Sequence, residues 1–264
     1  MKDLKRGFTL AEVLITLGVI SVVAAMTLPT LIQNYKKTAY VNQLKKSYSI
    51  WEQVFQKMKA DDGVDKLSDT SVWASKGNMQ CTYSDTSYTT DNNCKAFINS
   101  LNKYIKIIGI EKYGNKVAPL KGTSTSDEYI NYNSIVLSDG IMIIMTANGL
   151  PTTKTQDVCN QIKSFGGNMC SKAGTIIIDI NGKKDPNTWG RDVFWFSFSD
   201  EGKLYPSHSK DNALYNKQQA LDNNPYYWKN YSSSCINPDK AIPNYINGQG
   251  CTTRIMEEGW KMNY

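Results

Sequence analysis

The side chains able to do chemistry are few and widely spaced along the 264-residue chain. The first is Glu12, a lone carboxylate inside an apolar run that extends from Phe8 to Ile32. At the centre of a bilayer it would cost about 2.5–3.5 kcal/mol or more, so a charge in that place needs a partner. A second set lies in DINGKKDPNTWGRD, residues 179–192, where Asp179, Asn181, Asp185, Asn187 and Asp192 offer oxygen ligands around one loop. Oxygen-rich loops of this kind suit Ca2+. The stretch is not an EF-hand, because Lys183 stands at the fifth position and Gly190 at the twelfth. A turn shaped by Asp, Asn, Gly and Pro is the plainer reading of the same residues. The third set is six cysteines, Cys81, Cys94, Cys159, Cys170, Cys235 and Cys251, all beyond the apolar run. An even number confined to that part suggests disulfides in an oxidising compartment. Sequence does not choose among the possible pairings. The sequential one (Cys81–Cys94, Cys159–Cys170, Cys235–Cys251) closes three short loops in polar regions and is preferred. There is no Cys-x-x-Cys, which argues against a redox motif or zinc ribbon.

Catalytic arrangements find little support. His208 is the single histidine, in a loop rich in Ser and Lys, so any histidine-based triad would rest on it alone. The chain has no His-Glu-x-x-His, no phosphate-binding Gly-Lys-Thr/Ser loop and no dinucleotide fingerprint. Its carboxylates are scattered rather than visibly paired, and the expectation is a protein that is not an enzyme. Charged residues make up 20% and aromatics 11%, with a mean hydropathy of −0.44, the profile of a soluble body carrying one anchor. Net charge is +6 and spread along the chain. That tolerates acidic surfaces but lacks the clustered Lys and Arg that tracking a phosphate backbone requires, so nucleic acid is not an expected partner.

The elements that must position these groups begin with a short basic leader, Met1–Gly7. Built as a helix, the run from Phe8 to Ile32 spans about 37 Å, enough to cross a bilayer with some tilt. Lys2, Lys5 and Arg6 favour a cytoplasmic N-terminus, although Lys36 and Lys37 follow the span on the other side. The helix is predicted to continue beyond the membrane. Val41, Leu44, Tyr48, Trp51, Phe55 and Met58 recur at helical spacing and make one stripe, while Lys45, Lys46, Glu52, Gln53, Lys57 and Lys59 fall on other faces. Asp61, Asp62 and Gly63 supply a stop. Two other readings of the leader are open. A secretory signal could be cut after Ala25, and a plain single-pass anchor could remain uncut. A carboxylate early in the apolar core suits the first poorly, and the second leaves Gly7-Phe8 and Glu12 without a purpose.

At KRGFTLAEVLI the chain resembles the type IV prepilins and type II secretion pseudopilins: basic leader, Gly, Phe, Thr, Leu, then an apolar run with an early Glu. The resemblance covers about the first 35 residues. It implies cleavage between Gly7 and Phe8, methylation of the new Phe8 amine, and pairing of Glu12 with the Phe8 amine of a neighbouring subunit during filament growth. The implied partners are a prepilin peptidase, an assembly platform with its ATPase, and other pilin or pseudopilin subunits. The implied location is the cytoplasmic membrane, single-pass, with the ectodomain outside the cytoplasm until the subunit enters a filament. Pro29 falls where many of these proteins carry a helix-softening proline. Losing the leader would remove three basic residues and one acidic one, taking the net charge from +6 to +4.

The clearest β signal is SIVLSDGIMIIMT, two apolar runs about Asp139-Gly140, which predicts a hairpin. Thr175–Ile180 is a β-branched run, Val193–Phe198 alternates aromatic and small residues, and Asp200-Glu201-Gly202 turns the chain toward Leu204 and Tyr205. About four antiparallel strands against the long helix follow, an α+β arrangement that also resembles the pilin fold. Ala96–Ile110 reads as a helix running into a strand or turn. Ile255 and Met256 read as a short helical turn, with Trp260 as a packing anchor. The expected organisation is a leader at 1–7, a membrane-spanning half-helix at 8–33, an amphipathic half at 34–60 and a globular ectodomain at 61–264. Two functions fit: a structural subunit of a type IV pilus or type II secretion pseudopilus, or a minor tip pilin that binds a glycan, cargo or DNA. The aromatic cluster Tyr226, Tyr227, Trp228 and Tyr231 in a loop-rich region is the feature that favours the second.

Overall fold

The computed structural model describes residues 9–74, 92–114, 116–118, 128–129, 133–146, 152–153, 171–206, 235 and 248–264. The chain divides into two units, Met1–Ala39 and Tyr40–Tyr264. One helix, α1 (Leu10–Asp62), contributes to both and carries Pro29 in its interior.

In the first unit α1 is apolar around its circumference. Leu14, Ile15, Leu17, Ile20, Val22, Met26 and Leu31 are all exposed. Its apolar window is long enough to cross a membrane, and none of that window is buried within the protein.

From Tyr40 onward the same helix becomes amphipathic. Val41, Leu44, Ser47, Trp51, Val54, Phe55 and Met58 are buried, and Tyr48 is half-buried. The predicted stripe therefore faces the core with the same ends, and Ser47 and Val54 widen it. The helix ends at Asp62 because Gly63 adopts a positive φ of 65°, a conformation that costs glycine little. Asp62 then serves the next element, accepting the backbone N–H of Ser71 at 2.6 Å where the short helix α2 (Ser71–Ala74) begins. Helix α3 (Asn92–Leu101) runs into strand β1 (Ile107–Lys112), as the pattern of Ala96–Ile110 suggests.

The central sheet contains β1, β4 (Asn133–Leu137), β5 (Met142–Thr146), β7 (Ser171–Asp179), β8 (Val193–Ser199) and β9 (Leu204–Pro206), in that spatial order. All its pairings are antiparallel, and the short β6 (Thr152–Thr153) adds to β7. A separate two-stranded sheet joins β2 (Lys116–Val117) and β3 (Glu128–Tyr129). The β4–β5 hairpin forms about Asp139-Gly140 as predicted, with Gly140 at a φ of 84°. The sheet exceeds the expected four strands because β1 and β9 join its two edges. The sequence marks both places, in Ala96–Ile110 and in the turn toward Leu204 and Tyr205, and pairing with a neighbour makes each of them a strand.

Alternation along the strands sorts their side chains onto two faces. Ile176, Ile178, Phe194, Phe196 and Phe198 join the main core with the buried stripe of α1. Ile177, Val193 and Trp195 point the other way, into a smaller cluster with Tyr113, Met142, Ile144 and Trp189. Phe55 is fully buried in the main core, with its ring centroid 5.1 Å from that of Phe198, and both rings contact Trp73 of α2. The turn after β8 is tied to the same helix. Gln56 Nε2 and Lys59 Nζ donate to the Gly202 and Glu201 carbonyls, at 3.3 and 2.6 Å. Below the helix end, Asp200 accepts the Ser68 N–H and hydroxyl. Shortening Phe55 to Ala leaves a cavity at this junction and should cost about 3–5 kcal/mol, measured by chemical denaturation of the full chain in detergent.

A capped helix start and a buried carboxylate loop as candidate functional sites

Helix α1 starts on Thr9-Leu10-Ala11-Glu12, and these residues close a reciprocal cap. Glu12 Oε2 accepts the Thr9 backbone N–H at 2.7 Å and the Thr9 hydroxyl at 2.8 Å. Thr9 Oγ1 accepts the Glu12 N–H at 3.2 Å, and the Thr9 carbonyl accepts the first helical N–H, that of Val13. This is a capping box, with Thr as the cap and Glu three residues on, and it satisfies N–H groups that the first turn would otherwise leave unpaired. Glu12 thus has a partner on its own chain. The signal was present in the sequence as Thr-x-x-Glu before an apolar run, but attention to the charge alone passes over it. Gly7 and Phe8 lie outside the described residues.

The second candidate is the loop from β7 to β8. Its anchors are Asp179 at the end of β7 and Asp192 just before β8, both buried. Tyr113 donates its hydroxyl to Asp179 Oδ2 at 2.6 Å, and the N–H of Asn181 donates to Asp179 Oδ1. Asp192 organises the rest. It accepts the Asn187 N–H at 2.9 Å, the Thr188 N–H at 2.6 Å and Asn181 Nδ2 at 3.1 Å. Asn181 Nδ2 also donates to the Lys184 carbonyl at 3.0 Å, so several oxygens converge on that one amide nitrogen. Asp185 stays exposed at the loop tip. Asp179, Asn181 and Asp192 are therefore brought together, and the Asp185 carboxylate stands apart.

Two features bear on cation binding. The Oδ1 atoms of Asn181 and Asn187 are buried without a hydrogen-bond partner among the described residues. Among those residues no three His, Cys, Asp or Glu side chains cluster to hold a metal ion. An ion in this loop would thus rely on amide oxygens beside Asp179 and Asp192, with the Asn181 amide turned to present Oδ1.

The far side of the loop is locked to the C-terminal helix α4 (Cys251–Glu257). Cys251 is bonded to Cys235, the described member of the preferred pairing; the side chains of Cys81, Cys94, Cys159 and Cys170 lie outside the described residues. A Cβ at Gly190 would stand 2.5 Å from Cys251 Sγ, and one at Gly248 would run into Trp189. Both glycines also have positive φ, so only glycine suits these crossings. Tyr264 extends the contact by donating its hydroxyl to the Gly190 carbonyl. His208 and the Tyr226, Tyr227, Trp228 and Tyr231 cluster lie outside the described residues.

An apolar, capped N-terminal helix that continues as the spine of an antiparallel sheet defines a pilin-like protein. Residues 2–28 match the prokaryotic N-terminal methylation motif, the prepilin-like leader signature. Residues 30–264 match a family described as a family of unknown function (DUF6613), and the chain belongs to that family. No curated protein and no solved structure matches the chain.

Burial pushes the Asp179 carboxyl up to about 8; the Tyr113 hydrogen bond opposes the shift, and Asp192 adds to it. Asp192 is also raised, again chiefly by burial. In the unfolded chain Asp179 would titrate near 3.8, so between that value and about 8 the folded state holds the extra proton. The associated stability is complete on the acid side of this window and is lost as pH rises through it. With a chelator present, thermal midpoints should fall as pH rises from about 4 to about 8, and Asp179→Asn should flatten that slope. A slope unchanged by the substitution would assign the proton elsewhere.

Proposed function

We propose that this protein is a prepilin-like structural subunit, anchored in the cytoplasmic membrane by α1 and assembled into a filament after its leader is removed. The observation that carries the reading is the coincidence of the methylation motif at residues 2–28 with an apolar helix whose first turn is closed by Thr9 and Glu12. Cleavage between Gly7 and Phe8 by a prepilin peptidase would leave both cap residues in place and create an ammonium one residue before the cap. Glu12 then has two possible partners in lipid, its own Thr9 and a neighbour's Phe8 amine. Exchange of the first for the second would bring subunits into register, because each charge lacks compensation in hydrocarbon until the other arrives. No catalytic step is assigned; the chemistry is that of processing and assembly. The filament would be a type IV pilus or a type II secretion pseudopilus, built on an assembly platform with other pilin subunits.

Intact mass and N-terminal sequencing of protein from membranes containing an active prepilin peptidase test the reading. The expected product begins at N-methylated Phe8. A start at Met26 or an uncut Met1 would remove the filament subunit from consideration. Glu12→Ala should be processed normally yet fail to enter filaments, and its normal incorporation would count against the register role.

The 179–192 loop supports a second, separate proposal, that the ectodomain takes up Ca2+ there. The observation in its favour is the pair of buried amide oxygens without donors beside Asp179 and Asp192. Calcium at millimolar concentration should raise the thermal midpoint of the native chain and leave Asp192→Asn unmoved. Equal midpoints with calcium and with chelator would mean that hydrogen bonds alone hold the loop.

A further inference from the structure

In the loop between β7 and β8, Asn181 is followed by Gly182, the neighbour that leaves an asparagine side chain chemically least secure. Glycine has no Cβ to shield its peptide nitrogen, so that nitrogen can approach the preceding carboxamide. Attack forms a bond from Gly182 N to Asn181 Cγ and breaks the Cγ–Nδ2 bond. The Gly182 proton passes to Nδ2, which leaves as ammonia. Water then opens the cyclic imide at either carbonyl, and position 181 becomes aspartate or isoaspartate.

The fold needs both members of this labile pair. Gly182 has a φ of 67°, and a Cβ on it would stand 2.8 Å from the Gly140 carbonyl oxygen in the β4–β5 turn, so only glycine suits the position. Asn181 is the hub of the loop. Its Nδ2 donates to the Lys184 carbonyl at 3.0 Å, the Asp185 carbonyl at 3.4 Å and Asp192 Oδ2 at 3.1 Å.

Three features of the folded loop oppose the attack. The Gly182 N–H, which must give up its proton, donates to the Asp179 carboxylate. Nδ2, the leaving group, is held by three oxygens although it has only two hydrogens to offer them. Oδ1, on which negative charge would gather, is buried with no hydrogen-bond partner among the described residues. An oxyanion forming there would lack the donors that stabilise such charge.

We propose that Asn181 is a deamidation site held dormant by the folded 179–192 loop and released when that loop opens. Conversion then marks the opening permanently. A carboxylate at position 181 would set like charge against Asp192 and leave the Lys184 and Asp185 carbonyls without their donor, so the loop could not close again in the same form. Asn181 would behave this way whether or not the subunit enters a filament.

The test is ageing of the full chain in detergent and mildly alkaline buffer, with a chelator present to exclude calcium, followed by peptide mass mapping of the converted fraction. In denaturing urea Asn181 should convert as fast as Asn148 and Asn247, which are also followed by glycine. Without urea it should convert at least about tenfold more slowly than in urea, because only the open fraction of loops can react. A native rate equal to the urea rate, or above it, overturns the proposal. Asp192→Asn leaves one carbonyl oxygen where two carboxylate oxygens served three donors. In a variant that keeps a cooperative thermal transition, Asn181 should convert about tenfold faster than in the parent. A folded variant with the parent's rate removes the loop as the guard. If the variant does not fold, the parent chain in graded urea decides: conversion at Asn181 should climb as the ectodomain unfolds, and a rate flat through that transition overturns the proposal.

Discussion

The ectodomain depends on the seam between the lower turns of α1 and the phenylalanine face of the sheet. Trp51, Phe55 and Met58 are fully buried there against Phe194, Phe196 and Phe198, and Trp73 closes the end of the seam. Large aromatic side chains contribute most of the apolar area that such a small core can remove from water. The helix could not hold itself in that position by propensity alone, and the sheet would have one bare face without it. Hydrogen bonds at the turn after β8 then fix the azimuth of the helix, because Gln56 and Lys59 reach the carbonyls of Gly202 and Glu201.

On its other face the sheet is closed by smaller and more polar means. Tyr113, Trp189 and Val193 supply the apolar cover, and the two carboxylates of the 179–192 loop sit at its margin. Burying Asp179 and Asp192 is unfavourable by itself. It is offset for Asp192 by donors from its own loop, and for Asp179 by the Tyr113 hydroxyl and the peptide N–H groups of Asn181 and Gly182. The C-terminal segment presses the loop into this shape. Gly190 and Gly248 allow two backbones to cross where a side chain would collide, and the Cys235–Cys251 bridge sits beside the crossing. Loop and C-terminal helix are thus one mechanical piece although some sixty residues separate them in sequence.

The two parts of α1 follow different physical rules, and a single stretch of sequence records both. Through Ile32 the residues suit a nonpolar solvent, broken only by Glu12 and by hydroxyls at Thr16, Ser21, Thr27 and Thr30. After Tyr40 they suit a core on one side and water on the other, which is the usual amphipathic requirement. Glu12 belongs to the first regime but is neutralised in part by a purely local device, the cap with Thr9. A charged side chain with a local partner can reside near the membrane boundary and remain able to exchange that partner for another.

Most of what depends on neighbouring residues was legible directly. The apolar run, the buried stripe from Val41 to Met58, the hairpin about Asp139-Gly140 and the strand character of Thr175–Ile180 and Val193–Phe198 all rest on periodicity or turn chemistry, and the structure contains each of them. The cap at Thr9 was equally local and could have been read. What the chain alone did not disclose is non-local. That β1 pairs with β4 and β9 with β8 is decided by which edges the rest of the sheet leaves open, not by the few residues of those strands. That Asp179 and Asp192 are buried while Asp185 is exposed depends on Tyr113 and on the backbone donors of a folded loop, and spacing treats all three carboxylates alike. Sequence by itself therefore determined the helix, its change of solvent and the class of fold, because short-range periodicity encodes those. Only tertiary structure decided the sheet order, the company of the buried carboxylates and the crossing of Gly190 with Cys251, because each depends on groups far apart in the chain meeting at hydrogen-bonding or contact distance.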